Sequence, residues 1–100
     1  MFPEKLKRVF DKAVIDSIEQ IPVTSLAFKG ELDLKEHIHN EMDFYLGILI
    51  ATIFEKYTVY AAMTGEFSKQ EIMNTSPHVA NHIFQLIPML KDKIKDHVEL

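Results

Sequence analysis

The chain contains no cysteine. Disulfides, thiolate nucleophiles and thiolate metal ligands are therefore excluded together, and a reducing compartment suits the chain. Glycine is scarce as well, at three residues, and no glycine-rich phosphate loop or nucleophile elbow is present. A long basic run is missing too. Eleven Lys and Arg stand against 15 Asp and Glu, for a net charge of -4. The acidic excess lies between Pro22 and Gly65, where three Lys face six carboxylates. Without the usual electrostatic footprint for phosphate backbones, nucleic acid is not an expected partner. The opening MFPEKLKRVF turns charged at once and lacks the apolar stretch of a secretory leader, so the expectation is a cytoplasmic protein. The longest unbroken apolar run, Phe44 to Phe54, is eleven residues, well short of the roughly twenty that span a bilayer. No membrane span is expected.

What is present is ordinary folding composition: 47% hydrophobic and 26% charged residues, which argues against disorder. One hundred residues suit a single helical domain over 1–100. Leu6, Phe10, Val14, Ser17 and Ile21 recur at helical spacing, with Val9, Ala13 and Ile18 at the margins, predicting an amphipathic helix over 3–21. Pro3 suits its first turn, and Pro22 ends it. PVTSLAFKGEL follows as an ordered connector whose form, short strand or single turn, stays open.

Asp33 with Glu36 three residues on has the pattern of a capping box. From there the spacing predicts one very long helix to Thr64, ended by Gly65, with Gly30 as a turn residue before it. Ser68 with Glu71 predicts a second capping box and a short helix. Ser76 and Pro77 then predict the N-cap and first turn of a last helix to about Val98. In that helix Val79, Ile83, Leu86, Ile87, Leu90 and Ile94 form one stripe opposite His78, Asn81, His82, Gln85, Asp92 and Asp96. Pro88 within it removes a backbone hydrogen bond at Phe84, which predicts a kink or a break. The expected fold is all-α: a small bundle with one very long central helix.

Wound at about 100° per residue, the central helix has a core stripe of Ile38, Met42, Tyr45, Leu49, Ile53, Tyr60 and Met63. Two further stripes begin polar, as Glu36, His39 and Asp43 and as His37 and Glu41, and turn apolar from Phe44 onward. A helix apolar on nearly every side is buried on several sides, and the other helices of so short a chain can cover about two of them. A homo-oligomer is therefore expected. Its interface is formed by Phe44, Ile48, Ile50 and Phe54, with Gly47 and Ala51 permitting close approach. The functional expectation is a small interaction or regulatory protein acting through self-assembly and protein partners.

Two alternatives rest on particular residues. Glu36, His39 and Asp43 fall on one helical stripe, and Glu-x-x-His spacing lets both side chains reach one divalent metal, as in carboxylate-bridged di-iron bundles. A homodimer would double the motif, with Glu19 as a further ligand. The plainer account is a set of solvated side chains, acids favoured by the helix dipole, with His37 and Glu41 as an ordinary i,i+4 pair. His78 and His82 share the spacing of paired zinc ligands but lack the accompanying Glu of metalloproteases. The second alternative reads SKQEIMNTSPHVANHIFQL as a helix-turn-helix, against which its second helix opens without Arg. No catalytic residue and no organic cofactor is indicated.

Overall fold

A computed structural model describes residues 2–28 and 37–98. The chain forms an all-α bundle with the element order α1 (Glu4–Glu19), α2 (Ile21–Leu26), α3 (Glu41–Met63), α4 (Lys69–Asn74) and α5 (Ser76–His97). Three helices are long, and α1 and α5 both pack against α3. At about 1.5 Å per residue α3 measures about 35 Å, most of the 43 Å long axis of the molecule.

The first helix forms as its periodicity predicts. Leu6, Phe10, Ala13, Val14 and Ser17 are buried along it, and the Ser17 hydroxyl, out of reach of water, donates back to the Ala13 carbonyl at 2.6 Å. Gln20 interrupts the winding, and Pro22 then sits in the first turn of α2, where its missing N–H costs nothing. The connector left open by the sequence is thus helical at its start, with Ile21 buried and Val23 and Leu26 exposed.

The central helix is shorter than expected. It begins at Glu41, because Asn40 adopts an extended backbone (φ -132°, ψ 102°) and its side chain accepts from the Asp43 N–H at 3.0 Å. Asn40 with Asp43 is the same kind of start signal as Asp33 with Glu36, and it is the later one that caps the helix. The Asp33–Glu36 capping box and Gly30 lie outside the described residues. Gly65 takes the left-handed φ of 69° after the helix ends. The Ser68–Glu71 capping box closes in both directions, at 3.1 and 3.0 Å. Thr75, not Ser76, stands at the N-cap of α5, and Ser76 is its first helical residue. That helix continues through Pro88 as one element. Phe84, whose carbonyl loses its partner there, is exposed, so water can take the bond.

The core joins one face of each long helix: Leu6 and Phe10 from α1, Leu49 and Ile53 from α3, Leu90 and Ile94 from α5, with Ile72 of α4 and Val98 closing it. On α3 the buried residues are Tyr45, Leu49, Ile53, Tyr57 and Ala61, a strict i,i+4 row. Such a row drifts around a straight helix by about 40° per step, as ridge-in-groove packing along the i±4 direction requires. The expected core stripe coincides with it only at Tyr45, Leu49 and Ile53, because that stripe runs parallel to the helix axis while the buried row winds around it. Tyr57 takes the place expected for Tyr60, and Met63 is 77% exposed.

Candidate functional site

The i,i+4 packing sorts α3 into four rows. Opposite the buried row runs an exposed one of Asp43, Gly47, Ala51, Glu55, Val59 and Met63. Between them lie two half-buried rows, one holding Leu46, Ile50 and Phe54 and the other Phe44, Ile48 and Thr52. The six residues expected at a homo-oligomer interface therefore fall on three neighbouring rows of α3, between Phe44 and Phe54. Gly47 and Ala51 are exposed there, and Phe44, Ile48, Ile50 and Phe54 flank them half-buried. Part of that cover comes from the chain itself: Phe28 meets Phe44 edge-on at 4.9 Å between ring centres, a contact the sequence offered no period to foresee. A Cβ placed at Gly47 would meet nothing within 4 Å, so nothing in the described chain requires glycine there. By length and composition alone α3 also satisfies the requirements of a bilayer-crossing helix, which the eleven-residue run had not suggested.

The proposed metal ligands are placed differently from the sequence expectation. His39 precedes the Asn40 cap and is exposed, outside the helix, whereas Asp43 lies exposed in the first turn of α3. Glu36 lies outside the described residues. The helical register that set His39 and Asp43 on one stripe does not exist, because the helix starts two residues after His39; the same start separates His37 from Glu41. Asp43 and Glu41 instead occupy the first turn, where negative charge suits the dipole. Glu19 is exposed at the end of α1. Among the described residues no group of three or more His, Asp or Glu is gathered to hold a metal ion.

His78 and His82 are not the solvated pair that their polar face implied. Both are half-buried, with Phe2 stacked on His78 at 5.9 Å and lying 5.4 Å from His82, which also meets Phe10 at 5.8 Å. Phe2, outside any helix, is what covers them. In the helix-turn-helix reading this is the face that would meet a groove, and a single residue, Thr75, separates α4 from α5; neither observation adds to that reading.

Two polar arrangements escaped the sequence. At the seam of α1 and α3 the Tyr60 hydroxyl donates to the Asp16 carboxylate at 2.7 Å, and Lys12 approaches the same carboxylate at 3.3 Å and the Tyr60 ring at 4.7 Å. The Tyr60 hydrogen bond holds the Asp16 carboxyl below its usual value against some desolvation, with help from Lys12 and Lys56. Reciprocally, Asp16 and partial burial push the Tyr60 phenol upward. Deeper, the Thr75 hydroxyl donates to the Ile72 carbonyl at 2.6 Å, so the Tyr57 phenol must donate to Thr75; burial pushes that phenol upward as well. Both are ties between distant segments, which no spacing along the chain displays.

Where α3, α4 and α5 meet, a groove of about 360 Å³ opens. Tyr57, Ile72 and Val79 form its buried floor, with Phe54 and Phe67 at its sides.

The fold and this open face define a small all-α bundle whose longest helix is incompletely covered. Compared with protein families, with characterised proteins and with solved structures, the chain matches none of them.

Proposed function

We propose that this chain is a small cytoplasmic interaction protein that works as a homo-oligomer, two copies pairing through the outer face of α3 around Gly47 and Ala51. The supporting observation is Gly47. A glycine inside a helix is roughly 1 kcal/mol less favourable than alanine, and here an alanine methyl would fit with room to spare. A second helix backbone drawn close against Gly47 and Ala51 gives the missing side chain a use. The half-buried Phe44, Ile48, Ile50 and Phe54 then supply the remaining apolar area that such a contact buries.

A lipid environment for α3 fits less well. α1 lies along α3 and carries Lys5, Lys7, Arg8, Asp11 and Lys12 outward, and charged side chains on that flank require water. Light scattering after size-exclusion chromatography tests the proposal. Wild type should elute at twice the chain mass or more at micromolar concentration, and Ala51→Arg, at an exposed position, should elute as a monomer with unchanged helix content. A wild-type monomer at that concentration, or recovery of the chain only with membranes, overturns it.

A further inference from the structure

We propose that the groove between α3, α4 and α5 binds a small amphipathic molecule, an apolar chain ending in a single anionic head, of the class of a medium-chain carboxylate. Its volume of about 360 Å³ falls within the range of small-molecule sites, which are mainly apolar with a few placed polar groups. The floor and sides are aromatic and aliphatic, and Met73 at the edge, half-exposed, is the flexible, polarizable side chain that adapts to an apolar guest.

The polar groups narrow the head of the ligand. The Tyr57 phenol faces away into its bond with Thr75, and the Thr58 hydroxyl donates to the Phe54 carbonyl at 2.9 Å. The charged residue among those that line the groove is Lys69. The nearest carboxylates along the chain are engaged elsewhere, Glu66 with Lys5 and Glu71 with the Ser68 N–H. An apolar groove with Lys69 as its cation complements an anion on a hydrocarbon chain. A groove of this volume holds a short chain more readily than a partner helix. It stands apart from the self-association face, sharing with it Phe54 alone.

Titration of the isotope-labelled protein with hexanoate, octanoate and decanoate, below their micelle concentrations, tests the site by amide chemical shifts. Saturable shifts should centre on Tyr57, Phe67, Ile72 and Val79, with affinity rising roughly fourfold for each added methylene. Lys69→Met should weaken octanoate roughly two- to fivefold while leaving octanol unchanged. Ala62→Phe, at an exposed lining position, should abolish binding without disturbing the dispersed spectrum of the folded chain. Shifts that fail to saturate, that spread over the α3 outer face, or that survive Ala62→Phe overturn the site. Equal loss of octanol and octanoate in Lys69→Met overturns the anionic head.

Discussion

α3 and α5 are nearly equal in length, 23 and 22 residues, and both contribute a row of fully buried side chains to the same core. On α5 the remaining surface is largely polar, with Asn81, Gln85, Asp92, Lys93 and Asp96 exposed and Phe84 as its exposed large apolar side chain. On α3 the remaining surface keeps Phe44, Leu46, Ile48, Ile50 and Phe54 half-buried, and its exposed row runs Asp43, Gly47, Ala51, Glu55, Val59 and Met63. A helix needs one apolar stripe to join a bundle. α5 has one and a lone exposed Phe84, whereas α3 has the stripe and a longer surplus, on which the proposed pairing rests.

The sharpest way to break this comparison is to remove a buried side chain from each helix. Ile53 and Leu90 are both fully buried, so Ile53→Ala and Leu90→Ala should each destabilise by about 2–5 kcal/mol in urea unfolding. Similar losses show that the two helices share one core to the same depth. A loss below about 1 kcal/mol for Ile53→Ala alone would mean that α3 is loosely held and that its surplus face is misassigned.

A smaller effect separates the outer faces. Gly47→Ala should stabilise the dissociated chain by up to about 1 kcal/mol, since the methyl meets open space, and should weaken self-association because two backbones can no longer approach as closely. Ala80→Gly, at an exposed position of α5, should cost about as much and leave the assembled mass unchanged. Unfolding at dilutions below the dissociation midpoint, set beside light scattering above it, measures both. If Gly47→Ala left association untouched, the glycine would have no role at an interface.

The bundle was legible because its signals are local and periodic: the stripe of α1, the Ser68–Glu71 box, Gly65 and the stripe of α5 all formed where spacing put them. The start of α3 was not. Asn40 caps it, and where along such a stretch a helix starts depends on packing that propensity does not contain. That one displaced boundary is also why His39 left the stripe of Asp43, and with it the helical geometry behind the metal expectation. All six residues of the outer face lie inside α3, so the later start leaves their spacing on the helix unchanged. The Asp16–Tyr60 and Tyr57–Thr75 ties, and the cover that Phe2 and Phe28 provide, join positions far apart in the chain or outside any period, so no reading of spacing could reveal them.

The last test concerns the flank of α3 that is already partnered. Asp16 has its carboxyl lowered, first by the Tyr60 hydrogen bond, so its contribution is present above the ordinary carboxylate pKa of about 4 and is lost as pH falls through the lower folded value. Tyr60 is raised, first by Asp16; its contribution is complete below the ordinary phenol pKa of about 10 and is lost as pH climbs through the raised value. The tie between α1 and α3 therefore acts across the neutral range and fails at both ends. Asp16→Asn should lower the urea midpoint by a nearly constant amount between pH 5 and pH 9, with the difference from wild type closing below about pH 4. Tyr60→Phe should show the same closure on the acid side, because a protonated Asp16 has no charge left for the phenol to stabilise. A difference that persists undiminished at pH 2 would mean that side-chain packing, and not the charged hydrogen bond, holds α1 to this flank, and the covered and uncovered sides of α3 would then differ in shape alone.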